Sequence, residues 1–173
     1  MKLVLIVVGS VVALIVLLIV VAAIVGSLLP RGHEASRSMT FAARPSDVYR
    51  VVRAFDAAPN WRRDVKRVEL LGDVDGHARF REHAEHGAVT YEVTRDVPDQ
   101  LLVTTIADTD LGYSGSWTYA FEPDGTGTRL TITERGEVSN VIFRFMSRFV
   151  FGQTKTIETY LAALNGRVQT ASR

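Results

Sequence analysis

The sequence predicts an α+β fold: an antiparallel sheet covered by a long C-terminal helix, preceded by one transmembrane helix. Three observations predict it. The chain opens on an uncharged apolar run. A set of short alternating segments follows, punctuated by Gly and Asp. The chain then returns to helical spacing over its last thirty residues.

From Leu3 to Leu29 no residue is charged, and only Gly9, Ser10, Gly26 and Ser27 interrupt the apolar run. As a helix this stretch rises about 40 Å, against a hydrocarbon core of about 30 Å. A cleavable signal peptide has a shorter apolar region ending in a small-x-small site. Here "GSLLPRG" places Leu28 and Leu29 where small residues belong. Residues 1–30 therefore read as a retained, single-pass membrane anchor. Lys2 in front and Arg31 and Arg37 behind favour a cytoplasmic soluble domain by a single charge. Residues 31–37 read as a short polar linker that keeps the domain close to the membrane surface, and 169–173 as a tail.

Apart from Lys2, basic and acidic residues balance at 19 each, with no basic stripe. Nucleic acid is thus not an expected partner. The absence of cysteine excludes disulfides and thiol chemistry.

"SMTFAA" reads as a first strand. "RPSDVYRVVRAF" then changes period: Pro45 and Ser46 suit a helix start, and Val48, Val51, Val52 and Phe55 share one face. "DAAPNW" predicts a further short helical turn ending near Trp61. Next come "VKRVELLG", a "DVDG" turn, "HARFREHAE", "AVTYEVTRDV", "LLVTTIAD", "YSGSWTYAFEP", a "DGTG" turn and "TRLTITERGEV". Strands of this length joined by tight turns predict an antiparallel meander. "NVIFRFMSRFVFGQTKTIETYLAALNGRV" reads as one helix from about Asn140 to Val168, with Gly152 marking a bend or close contact. A sheet must cover its apolar face, and this helix is the available cover.

The order of "ARPSDVYRVVRAFDAAPNW", "VKRVELLG", "GSWTYAFEPDGTGTRLTITERGEV" and "IETYLAALNGRV" resembles the START-like (SRPBCC) superfamily, most nearly its polyketide cyclase/dehydrase-type branch. These pieces span nearly all of residues 38–168. The resemblance implies a helix-grip fold with a deep apolar cavity between sheet and helix. It also implies binding of lipids, sterols, polyketides, plant hormones or quinones, with catalysis in a minority. The transmembrane helix is outside the usual family domain.

Alternation along the strand puts Trp117, Tyr119 and Phe121 on one face, as core or as ligand wall. Leu130 and Ile132 place Glu134 inward, and Ala78 and Phe80 do the same for Glu82. Tyr91 lies between Val89 and Val93, and Arg95 continues that parity. The two carboxylates either pair with Arg95 or another Arg, point into a wet cavity, or sit at strand ends near solvent.

"EHAEHG" has His83 and His86 three apart, which on a strand puts them on opposite faces. A hairpin tip is the better reading, and no metal site is expected. "DTDLG" reads as a solvated loop and "DGTGTR" as a turn, and no nucleophilic triad is present. "VIFRFMSRFVF" is apolar nearly all round, with Arg144 and Arg148 as one polar ridge. It is either an enclosed helix, one packed on a second subunit, or one lining the cavity on one side and touching lipid on the other.

The leading expectation is membrane-tethered binding of a hydrophobic small molecule: a lipid, quinone, isoprenoid or polyketide-like ligand, with no cofactor. Tyr91, Trp117 and Tyr119 would orient the ligand, Phe121 would line it, and Phe145, Met146 and Phe149 would form a lid. The alternatives are a cyclase or dehydratase using Glu134 and Tyr91, and a membrane scaffold that docks a partner protein through its apolar helix.

Overall fold

The computed structural model describes residues 1–85, 87–146, 148–149 and 154–171, with the side chain of Ala171 left out. The expectations for His86, Val150, Phe151 and Gly152 lie outside the described residues.

The first helix, α1, spans Lys2–Leu28 and is long and apolar enough to cross a membrane. Its side chains are exposed up to Val21; Ala22, Ala23 and Val25 are partly covered, and Gly26 is its one buried residue. Strand β1 (Gly32–Phe41) follows after three residues. The polar stretch expected to be a linker is therefore mostly strand. The sequence "GHEASRS" alternates, and its partner strand holds it in register from Gly32↔Glu137 to Phe41↔Thr128. Pairing with a strand almost a hundred residues away cannot be read locally.

Helix α2 (Pro45–Arg53) opens with Pro in its first turn and Asp47 near its N-terminus, as its sequence requires. Val48 and Val52 are buried, and Phe55 is buried in the 3-10 turn that follows, Phe55–Asn60. Six strands then form a meander: β2 (Arg67–Val74), β3 (His77–Ala84), β4 (Gly87–Val97), β5 (Leu101–Ile106), β6 (Tyr113–Asp124) and β7 (Gly127–Val138). The spatial order is β1-β7-β6-β5-β4-β3-β2, all antiparallel. The first strand thus docks on the last, and β1 and β2 are the edges. Gly127 lets the β6–β7 turn pass under β1, since a Cβ there would meet the Phe41 carbonyl.

The expected single terminal helix is instead two, α3 (Val141–Met146) and α4 (Lys155–Ala171). They pack against different things. Helix α4 lies under the sheet with Ile157, Tyr160, Leu161, Leu164 and Val168 buried. They join Phe41, Leu102, Leu130, Ile132 and Val48 in one core. Helix α3 packs on the end of α1, where Gly26 faces the Val141 backbone so closely that any side chain would collide. Seven antiparallel strands gripping a C-terminal helix make this a helix-grip fold.

Candidate functional site

Between sheet and helices lies a cavity of about 420 Å³. Much of its aromatic wall comes from three elements. Strand β6 supplies Trp117 and Tyr119, β4 supplies Tyr91, and α4 supplies Tyr160. Trp117 and Tyr119 project together because they are two apart on one strand. Each ring centroid lies 5.7 Å from that of Tyr160. Tyr91 stacks on Phe80 at 5.3 Å, and Phe80 stacks on Phe55 at 3.9 Å. Trp61 meets Tyr160 edge-on from behind.

Two polar pairs face this apolar space. Arg62 and Glu82 are 2.7 Å apart, and their side chains are 16% and 15% exposed. Burial pushes the Glu82 carboxyl up, against the pull of the Arg62 cation. Burial also opposes the Arg62 charge, yet Glu82 and Asp64 outweigh it and hold Arg62 firmly protonated. The Arg62 guanidinium lies over the Tyr160 ring, 5.3 Å from its centroid. Burial raises the Tyr91, Tyr119 and Tyr160 hydroxyls, so all three are protonated donors at neutral pH.

The second pair is Glu134 and His33, 3.5 Å apart across the β1–β7 ladder. Burial raises the Glu134 carboxyl, with His33 and the Trp117 side chain pulling the other way. The His33 ring lies against Gly136, where a Cβ would sit 2.5 Å from its Cε1 atom. The lack of a side chain there gives the imidazole its place.

The structure thus gathers Tyr91, Trp117, Tyr119 and Glu134 on one lining, as their strand parity predicts. Phe121 shares their face but lies deeper, 3% exposed and edge-on to Tyr49 of α2. Among the described residues, α3 reaches the cavity through Phe143, and not through Phe145 or Met146. Phe145 instead packs against Phe149, which is exposed. Packing of α3 on the end of α1 fixes which face of the helix meets the cavity, and Phe143 lies on that face. Arg95 departs from its expected parity: a bulge between Val93 and Arg95 turns it out to solvent. Of the alternatives open for Glu82, the structure takes the pair with another Arg, Arg62.

His33, Arg62 and Tyr160 carry much of the site, and their strands, loops and helices give no local sign of it. His33 sits in what reads as a linker, and Arg62 follows a helical turn. Tyr160 reads as an ordinary core position of α4. His83, the other half of the hairpin pair, faces outward 3.4 Å from Glu69. Asp108 accepts a hydrogen bond from the Thr90 backbone at 2.6 Å, which gives the "DTDLG" loop a structural role.

The sequence pattern of the family described as polyketide cyclase / dehydrase and lipid transport matches residues 32–169. The chain belongs to this family. Helix α1 lies ahead of the match. No curated protein sequence matches the chain. Among solved structures, it is similar to a START superfamily protein from Mycobacterium smegmatis, at 22% identity and a TM-score of 0.65. That alignment covers 80% of this chain and 99% of the other. It is also similar to the Zhui aromatase/cyclase from Streptomyces sp. R1128, at 15% identity and a TM-score of 0.66, covering 82% and 96%. Norcoclaurine synthase from Thalictrum flavum is similar at 13% identity and a TM-score of 0.63, covering 80% and 87%. At these identities the likeness shows the fold. Family and fold together support hydrophobic ligand binding or cyclase-type chemistry.

Proposed function

We propose that this protein is a membrane-tethered binder of a hydrophobic small molecule, which it exchanges with the bilayer. The cavity under the sheet carries the reading. Its volume of about 420 Å³ and its wall of Tyr91, Trp117, Tyr119 and Tyr160 suit an apolar ligand held by a few polar groups. Lipid, quinone, isoprenoid and polyketide-like molecules share that chemistry. The exposed rings of Tyr113 and Phe143 belong to the same lining. They place its mouth beside α3, and α3 packs on the end of α1. With α1 as a membrane span, the mouth lies at the bilayer surface. The single-charge bias at the ends of α1 favours the cytoplasmic side for the domain.

The test is to purify the full chain from membranes in detergent, extract it with organic solvent and analyse the extract by mass spectrometry. A discrete species enriched over membrane lipid, and lost from Ile106→Trp, is the expected result. Ile106 lines the cavity, and the larger ring fills it. Recovery of bulk lipid alone, in membrane proportions and unchanged in the variant, counts against the proposal.

One observation favours a second reading, a cyclase or dehydratase on a polyketide-like substrate. Glu134, with its raised carboxyl beside His33, and Tyr91, with its protonated hydroxyl, line the same space. Such chemistry needs a base to take a proton next to a carbonyl and an acid to release water. Glu134→Gln should then abolish turnover while ligand retention persists. Turnover that survives the substitution removes Glu134 from that role.

A further inference from the structure

The end of α1 meets β1 and α3 around a second cavity, of about 250 Å³. Three arginines line it: Arg31 just after α1, and Arg144 and Arg148 from the segment that packs on it. Among the described residues, Glu34 is the only carboxylate in the lining, and it is paired with Arg135 at 2.8 Å. The Arg144 Nη1 donates to the Leu29 carbonyl at 2.8 Å, which satisfies a group left over at the helix end. Three guanidinium groups around one cavity make a cationic seat, and the planar guanidinium fork suits an oxyanion.

Depth supplies the identity of that anion. A span of 27 residues rises about 40 Å, so its ends stand at headgroup level on either side of a core of about 30 Å. The cavity begins at Leu29, one residue beyond α1. The close contact of Gly26 with Val141 holds α3 at that level. We propose that this cavity binds the phosphate of an anionic bilayer phospholipid. The inference rests on the membrane-spanning reading of α1, and it does not require the larger cavity to be filled. His33 and Val138 line both cavities, so they lie back to back. A headgroup seated among the arginines holds the Phe143 mouth against the bilayer.

The experiment is a native mass spectrometry titration of the full chain in detergent micelles. The probes are dioleoylphosphatidylglycerol, dioleoylglycerol with the same tails, and inorganic phosphate. The phospholipid should bind and the diacylglycerol should not. Arg31→Gln and Arg144→Gln should each weaken phospholipid binding about tenfold, as expected for loss of a charge-assisted contact. Arg31 is exposed, so its substitution reads binding even where Arg144→Gln disturbs the α1–α3 packing. Equal binding of the two lipids, or no effect of Arg31→Gln, overturns the proposal. Inorganic phosphate binding as tightly as the phospholipid assigns the cavity to a free ion and also overturns it. Failure of the membrane reading shows separately, as release of the full chain from membranes by a carbonate wash.

Discussion

Deleting the Arg62 side chain isolates Glu82 and tests the electrostatics of the cavity. At 2.7 Å and an effective dielectric of about 20, the pair attracts by about 6 kcal/mol before solvation is counted. Removing both charges from water offsets most of that, so the intact pair adds little net stability. Arg62→Met leaves the Glu82 carboxylate buried alone, at a cost of about 3–5 kcal/mol. The cost depends on pH in a definite direction. Burial already raises Glu82 in the folded protein, and losing Arg62 raises it further. A carboxyl raised on folding contributes stability at low pH that is lost as pH rises through its folded value. The deficit of Arg62→Met is therefore full at pH 8 and narrows towards pH 5. Thermal unfolding of the full chain in detergent should fall by about 10 °C at pH 8. Arg62→Met/Glu82→Met should recover most of that loss, because neither charge is then left buried. A deficit that does not change with pH, or two single effects that simply add, would refute this account.

Glu134→Gln should raise the melting temperature at neutral pH, since burial works against the ionised carboxyl. The gain should vanish as pH falls below the ordinary carboxylate range, where wild type is protonated too; a gain that grows on acidification would argue otherwise. Gly136→Ala should displace the His33 ring from Glu134, changing the pH dependence of ligand retention while circular dichroism stays native. Gly127→Ala meets the Phe41 carbonyl backbone and should cost about 2–3 kcal/mol, read by thermal unfolding. Gly26→Ala should loosen α3 from α1, read as faster proteolysis near Phe143 with the melting of the sheet unchanged.

Much of the architecture is a local property of the chain. An uncharged run of 27 residues is an apolar helix wherever it lies, and period-two alternation between Gly/Asp turns makes strands whatever packs on them. Trp117, Tyr119 and Glu134 face inward for that reason, and the structure puts them there. Local pattern loses track wherever one added residue or one break changes the phase. The bulge after Val93 sends Arg95 outward. The packing of α3 on α1 brings Phe143 to the cavity in place of Phe145 and Met146. Which partners the two buried carboxylates take is not legible in the sequence. Glu82 finds Arg62 only when the turn after α2 folds against β3, and Glu134 finds His33 only when β1 closes on β7. Such partners are chosen by the cost of burying a charge, and that cost exists only once distant segments have excluded the water between them.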